Sequence, residues 1–372
     1  MLYLRWMNLP LDHGSTLQPA TTSRTTATAK TPTAATDSTP TPASPPAKPT
    51  VRMAGKTVVE VESKTVINFT SGFSHKLLCD GLTFTAGSAC VYSCAFCYVE
   101  DLMRKNPHRL PNPEDHQSMV IRRRNAVEVA KRQLTYRDGS PRFPDPNDRR
   151  VIYASPLVDV AANLELARET VEICREILTR TAWQIRLLSK SSLLPRIADE
   201  LGDFRDRVIY GVSTGTLDDR LGASFEKGTA LVSKRIQSLR RLQDDGFRTY
   251  AMVCPSLPLA DDAAYQAFAE QAAEELRTDQ CEHVWAEVLN VRGQSMVRTC
   301  DALRQAGYAE HAERLERVST DREAWEAYAR STFEAHARCY EGEPGKLRFL
   351  QYVGRGTRPY WEAQVARGAV LL

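Results

Sequence analysis

Ala89-Cys90-Val91-Tyr92-Ser93-Cys94-Ala95-Phe96-Cys97-Tyr98 is the stretch of this 372-residue chain that decides how the rest is interpreted. It carries three cysteines at the spacing Cys-x3-Cys-x2-Cys, with an aromatic residue directly before the third. Iron–sulfur clusters are held by cysteine thiolates, and three thiolates on one short loop can converge on a single site. A [4Fe–4S] cube needs four ligands, so three local cysteines leave one iron open to a small molecule. The loop therefore predicts a [4Fe–4S] cluster bound by Cys90, Cys94 and Cys97.

Two plainer interpretations of this loop compete with a cluster. A structural zinc site needs a fourth Cys or His at ligand spacing, and His75, Cys79 and His108 do not stand at such a spacing. Buried and inert thiols are the second alternative, because free cysteine is often fully buried. Three of the chain's nine cysteines lie within this one loop, and that density favours a shared ligand role.

Composition and length are compatible with an intracellular enzyme. The chain is long enough for one large domain with extensions. Nine cysteines without secretory features favour a reducing cytosol, so we expect a cytoplasmic protein. No apolar run approaches the roughly 18 residues of a membrane helix, and we expect no membrane partner. The net charge of +3 neither requires nor excludes a nucleic acid.

The chain divides into a tail, a core and an extension. Residues 15–50 are dominated by Thr, Ala, Pro and Ser, with Asp37 as the one acid. Such a segment cannot bury enough apolar surface to offset its ordering entropy, so we predict a disordered tail over residues 1–50. The core is predicted over residues 51–310. A helical C-terminal extension is predicted over residues 311–372.

The core alternates strand and helix patterns. Short apolar, β-branched runs predict strands, and apolar residues at helical spacing predict helices between them. The predicted strands cover residues 81–85, 150–154, 184–188, 207–213, 249–253 and 284–289. The main predicted helices cover residues 127–134, 163–178, 193–201, 230–245, 262–276 and 296–306. Repeated β–α units of this kind predict an α/β fold with a parallel sheet and helices outside it.

The cysteine loop resembles that of the radical S-adenosylmethionine (SAM) superfamily, in which the amino and carboxylate groups of SAM chelate the open iron. The six predicted strands resemble the partial (β/α)6 TIM-like barrel of that superfamily, with the C-terminal extension closing its open side. Active sites of such barrels lie at the C-terminal ends of the strands. The cysteine loop follows the first predicted strand, which is consistent with this placement.

A closer resemblance covers about half the chain, from residue 83 to residue 261. It is to the spore photoproduct lyase-related branch of the superfamily, also called DNA repair photolyase-like proteins. The segments that carry it are Cys97-Tyr98, residues 121–126, residues 153–159 with Glu165 downstream, residues 188–191 and residues 212–218.

The resemblance implies a SAM site at the strand ends. Phe96 would shield the cluster and lie beside the adenine. The Lys190 ammonium would pair with the SAM carboxylate, Ser213 would donate a hydrogen bond to the same group, and Glu226 would contact the ribose. Three of these residues also have a plainer interpretation: Lys190 as a solvated lysine, Ser213 as a turn residue and Glu226 as a surface acid. Arg235 is expected to be structural or exposed.

Tyr98 stands directly beside the predicted cluster, and the resemblance implies that its phenol relays hydrogen atoms. An ordinary half-buried tyrosine is the alternative. The sequence departs from spore photoproduct lyase at one point, because residues 151–165 contain no cysteine that would act as hydrogen donor. Cys254 ends a predicted strand and either faces the site or is an ordinary buried cysteine.

Basic residues after the cluster loop suggest a possible nucleic-acid partner. Arg122, Arg123 and Arg124 are followed by further basic residues at Lys131, Arg132 and Arg137. They are expected to flank the active-site mouth and contact phosphates. A solvated basic helix face is the alternative, because acids interrupt the run.

The resemblance implies a radical SAM enzyme. A reduced cluster would cleave SAM to methionine and a 5′-deoxyadenosyl radical, which would abstract a hydrogen atom from a nucleic acid or another bulky substrate. An external electron donor such as flavodoxin or ferredoxin is the expected partner. A radical enzyme that modifies peptides or proteins, and a non-catalytic Fe–S module, are the two alternatives.

Overall fold

The computed structural model consists of strands and helices that alternate around one large sheet. It describes residues 52–53, 55–104, 117–154, 156–291, 293–343 and 345–372. The predicted disordered tail, residues 1–50, lies outside these residues. The strands are β1 Arg52–Met53, β2 Lys56–Val61, β3 Ile67–Asn68, β4 Leu82–Phe84, β5 Gly87–Ala89, β6 Ser93–Cys94, β7 Met119–Arg123, β8 Val151–Ala154, β9 Gln184–Ser189, β10 Val208–Thr214, β11 Glu226–Lys227, β12 Arg248–Ser256, β13 Cys281–Val288, β14 Leu347–Gln351 and β15 Ala369–Leu371.

Helices follow most strands of the large sheet. They are α1 Val99–Arg104, α2 Ala126–Leu134, α3 Leu164–Arg180, α4 Leu194–Glu200, α5 Asp219–Phe225, α6 Val232–Asp244, α7 Asp262–Glu275, α8 Ser295–Gln305, α9 Ala309–Thr320, α10 Arg322–Cys339 and α11 Arg358–Glu362, with 3-10 helices at Gly72–Lys76, Gly202–Arg207, Thr278–Gln280 and Val365–Arg367. Across the described ranges, these helices are all too short or too polar to cross a bilayer.

The large sheet has the strand order β15-β14-β13-β12-β10-β9-β8-β4-β3. Every neighbouring pair from β4 to β15 is parallel, and only β3 runs antiparallel to its neighbour. The six strands predicted from the sequence pair side by side in chain order, as β4, β8, β9, β10, β12 and β13. Because parallel neighbours need crossovers, the helices α3, α4, α6 and α7 lie between them along the chain. The predicted α/β fold with a parallel sheet is confirmed.

The C-terminal extension differs from the prediction, because it is not only helical. α9 and α10 are helices as expected, but β14 and β15 continue the parallel sheet beyond β13. These strands have five and three residues. Strands this short carry little periodicity of their own, and the pairing of β14 with β13 and of β15 with β14 decides their conformation.

A short 3-10 helix, Gly72–Lys76, contacts both β4 and β15, which are the outermost of the parallel strands. Side chains from distant strands bind the carbonyls at its end. Trp285 Nε1 donates to Lys76 O at 2.8 Å, and Arg186 donates to Leu78 O at 2.8 Å. Arg348 donates to the intervening carbonyl, Leu77 O, at 2.9 Å. Cations near the C-terminal end of a helix are favourable. Because the three donors belong to β9, β13 and β14, this segment is fixed to three strands at once.

Two apolar layers lie on opposite faces of the sheet. The larger layer packs the helices against the strands, and the smaller one fills the other face. In the smaller layer the Tyr250 ring lies directly on Gly211, where a Cβ atom would stand 2.2 Å from Tyr250 Cζ. Glycine at this position therefore makes room for a fully buried tyrosine.

We expect Gly211→Ala to lower the free energy of unfolding by about 1–3 kcal/mol, because the added methyl group overpacks a closed interior. Gly202→Ala is the matched control, since a Cβ there meets nothing within 4 Å. Denaturant unfolding of both variants measures the difference. Equal midpoints for the two variants would contradict the packing described for Tyr250.

Candidate cofactor site at the carboxyl ends of the strands

The cysteine loop begins at the edge of a second, four-stranded sheet of order β1-β2-β7-β5, and it is then held by pairing with β11. β5 pairs with β7, and Cys90 follows it directly. The two-residue strand β6 pairs with β11, which puts Cys94 opposite Glu226. Ala95 N donates to Phe225 O at 2.8 Å. The loop is thereby attached to the segment that follows β10.

Two cations bind the backbone of the cysteine loop from outside. Lys56 Nζ donates to Cys90 O at 3.0 Å and to Tyr92 O at 2.5 Å. Arg298 of α8 donates to Ala95 O at 3.1 Å and forms an ion pair with Glu100. Positive charge next to several thiols suits an anionic cluster, because thiolate ligands carry negative charge.

Burial favours the protonated form of the three thiols of the loop. Burial raises the pKa of Cys90 to about 12, and it also raises the pKa values of Cys94 and Cys97. Iron would take the place of those protons. No three His, Cys, Asp or Glu side chains within the described ranges already stand in metal-binding positions. The donor chemistry and the neighbouring charges fit a cluster, and the three ligands stay a prediction.

Four predicted site residues lie together beside Cys94. Lys190 follows β9, and its Nζ lies 3.0 Å from Ser213 Oγ at the end of β10. The same ammonium lies 2.6 Å from Glu226 Oε1 and 5.4 Å from the centroid of the Phe96 ring. Because the carboxyl ends of neighbouring parallel strands share one edge, residues far apart in the chain meet here. Their roles toward SAM stay predictions.

Glu226 is fully buried, so its interpretation as a surface acid is wrong. Its Oε2 lies 2.5 Å from Arg235 Nη1, and the Arg235 side chain is only 1% exposed. Arg235 also donates to Ser213 O at 3.1 Å and to Thr229 Oγ1 at 2.6 Å. One carboxylate thus neutralises two cations, Lys190 and Arg235, in the interior.

Asp159 is a residue of the site to which the sequence analysis gave no role. It is partly buried, and its carboxylate accepts from Lys190 N at 2.7 Å, Ser189 Oγ at 2.7 Å and Ala161 N at 2.9 Å. Burial raises the pKa of Asp159, and these donors oppose the shift. The carboxylate fixes the turn that carries Lys190. Its position at the end of segment 153–159, which carries part of the family resemblance, was the signal available in the sequence.

Tyr98 follows Cys97 directly and is 37% exposed. Its hydroxyl donates to Pro156 O. The neighbouring Ser155 lies outside the described residues. The relay role of Tyr98 stays a prediction.

The members of the basic triplet after the cluster loop lie in different surroundings. Arg122 belongs to β7 and pairs with Glu165 and, at 2.7 Å, with Glu169. Arg123 is buried and donates to backbone carbonyls. Arg124 pairs with an acid at the surface. A strand directs alternate side chains to opposite faces, so Arg122 and Arg123 do not share one face, and phosphate contact by the triplet stays a prediction.

Comparisons with known proteins show which solved structures share this fold. No family model matches the chain. An uncharacterized protein, ORF301 of Acidianus two-tailed virus, is 23% identical over an alignment of 235 residues. The match covers 59% of this chain and 71% of that protein. A cysteine-to-serine variant of spore photoproduct lyase has a TM-score of 0.50 at 13% identity, over 68% of each chain. A variant with bound AdoMet and dinucleoside spore photoproduct has a TM-score of 0.48 at 13% identity, also over 68% of each chain.

The fold and the site define an α/β protein with a parallel sheet, a cysteine loop after its first parallel strand and a buried polar group at the carboxyl ends of the strands. Among solved structures this is the fold of the spore photoproduct lyases. The structural resemblance inferred from the sequence is confirmed at the level of the fold.

We expect Glu226→Gln to lower the free energy of unfolding by about 3–5 kcal/mol, because it leaves Arg235 buried without its counter-charge. Glu275→Gln is the matched control. It breaks the Arg240–Glu275 pair, whose 2.6 Å contact is similar but whose side chains are 36% and 38% exposed. An exposed pair contributes about 0.2–1 kcal/mol.

Chemical denaturation at low salt measures both variants. A Glu226→Gln protein that is as stable as the control variant would contradict the dependence of the site on this carboxylate.

Proposed function

We propose that this protein is a radical SAM enzyme that acts on a nucleic acid, with Cys90, Cys94 and Cys97 as the ligands of a [4Fe–4S] cluster. The cofactors, when bound, supply the electron and the 5′-deoxyadenosyl radical that abstracts a hydrogen atom from the substrate. The observation that carries the proposal is the convergence of Lys190, Ser213 and Glu226 beside Cys94. The proposal takes the parallel sheet as the partial (β/α)6 barrel of such enzymes.

The residues of the chain bind and orient in this proposal. Lys190 supplies an ammonium and Ser213 a hydroxyl to a carboxylate ligand, and such charge-assisted contacts are stronger than neutral ones. Glu226 and Arg235 fix the direction of the Lys190 side chain, because a buried carboxylate holds both cations. Phe96 covers the ammonium from one side. Each contact orders the site before a ligand enters it.

Two expectations from the sequence belong to the same proposal. The similarity in fold to spore photoproduct lyase favours a nucleic-acid substrate over a peptide. A reductive reaction also requires an external electron donor such as flavodoxin or ferredoxin, and it suits the cytoplasm.

We expect anaerobic reconstitution with iron and sulfide to load the native chain with a cluster. Ala in place of Cys90, Cys94 or Cys97 should abolish loading, because three ligands are the minimum for this site. Cys174→Ala is the matched control, since Cys174 is fully buried in α3 away from the loop. Iron and sulfide analysis, with SAM cleavage after dithionite reduction, measures the result. Retained zinc in place of iron would overturn the proposal.

We expect Lys190→Ala to weaken SAM binding by about 1.5–3 kcal/mol, because a hydrogen bond to a charged group is lost. Its iron content should match that of the native chain. Lys234→Ala, which removes an exposed lysine of α6, is the control. Equilibrium dialysis with SAM compares the three proteins. Unchanged affinity in Lys190→Ala would show that the carboxylate of SAM binds elsewhere.

A further inference from the structure

A second polar group lies at the carboxyl ends of the strands, and the proposed SAM contacts do not use it. Lys76 Nζ lies 3.4 Å from both carboxylate oxygens of Glu287, near the end of β13. Asn290 Nδ2 donates to Glu287 Oε1 at 2.9 Å. Cys254 Sγ lies 3.7 Å from Glu287 Oε2, so this cysteine faces the group. Three separate segments of the chain thus converge on one carboxylate.

This group is adjacent to the proposed SAM site. Cys254 O accepts from Lys190 Nζ at 3.2 Å and from Ser213 Oγ at 3.2 Å, while its thiol lies beside Glu287. A substrate that contacts Glu287 would therefore lie next to the reacting centre.

The Lys76–Glu287 pair is not optimised for stability. Strong ammonium–carboxylate hydrogen bonds measure about 2.7–2.9 Å, and the buried Lys190–Glu226 pair at 2.6 Å is close to that range. The Lys76–Glu287 contact is longer, at 3.4 Å, and the two side chains stay 16% and 13% exposed. Because both groups are partly open, they can give up their contact with each other. The carboxylate can then accept from a donor of a ligand, and the ammonium can donate to an acceptor of the same ligand.

An aromatic ring flanks this pair. Lys76 Nζ lies 5.6 Å from the centroid of the Tyr352 ring. A flat heterocycle gains stacking energy against such a ring, and single bases are recognised by stacking combined with hydrogen bonds to their edges. A ring beside a polar pair therefore suits a base better than an aliphatic substrate.

We propose that Glu287 and Lys76 recognise the lactam edge of a nucleobase, with Glu287 accepting the ring N–H and Lys76 donating to the adjacent carbonyl. Thymine, uracil and guanine present this edge. A trans peptide bond directs its N–H and C=O in opposite directions, so it cannot satisfy both side chains at one point. This assignment rests on the proposed function, because it specifies the nucleic-acid substrate of the same site.

The test uses the reconstituted full-length protein with SAM and a short labelled oligothymidylate. A second oligomer with N3-methylthymine lacks the ring N–H. The native protein should bind the first oligomer roughly tenfold to a hundredfold more tightly, as expected for one base-specific contact. Glu287→Leu, which has no acceptor, should bind both equally, and Glu287→Gln should retain part of the preference. Glu313→Leu, which removes an exposed carboxylate, is the matched control and should discriminate like the native protein.

Each contrary outcome has a separate meaning. A native protein that cleaves SAM but binds both oligomers equally overturns the lactam assignment alone. A native protein that discriminates through Glu287 yet never cleaves SAM overturns the proposed reaction and leaves the assignment standing. A glutamine-containing peptide that binds through Glu287, where oligothymidylate does not, assigns the pair to a side-chain amide and overturns the proposal.

Discussion

The site depends on the two ion pairs made by the buried carboxylate of Glu226. Glu226 lies between Lys190 at the end of β9 and Arg235 of α6, and its backbone pairs with Cys94. A buried cation without a counter-charge is costly, so the three side chains must stay together. Their arrangement therefore fixes the cysteine loop relative to the ends of the parallel strands. The distance between a loop-bound cofactor and the strand ends follows from one ion-pair network.

Local patterns account for what the sequence predicted well. The six strands from β4 to β13 are short apolar runs, and the helices between them show regular apolar spacing, so each could be identified without knowing its neighbours. The spacing of Cys90, Cys94 and Cys97 is equally local. The placement of Lys190 and Ser213 at one edge followed from the rule that parallel strands end together. These features needed no long-range information.

Long-range pairing accounts for what the sequence did not show. For both Glu226 and Arg235 the sequence left a surface position open, and only the fold brings them together in the interior. The sequence also did not show that β7 places Arg122 beside two acids of α3. β14 becomes a strand because β13 offers it a partner, and β15 pairs in turn with β14. In each case the deciding contact comes from a different part of the chain.

Cys254 connects the two polar groups at the strand ends. Its carbonyl accepts from Lys190 and Ser213, and its thiol lies beside Glu287. A shift of the end of β12 would therefore move two parts of Cys254 at the same time: the carbonyl that accepts from Lys190 and Ser213, and the thiol beside Glu287. Close-packed interiors transmit such shifts because they contain little free space. In the proposed reaction, the orientation of the cofactor and the orientation of the substrate would therefore be coupled through a single strand end.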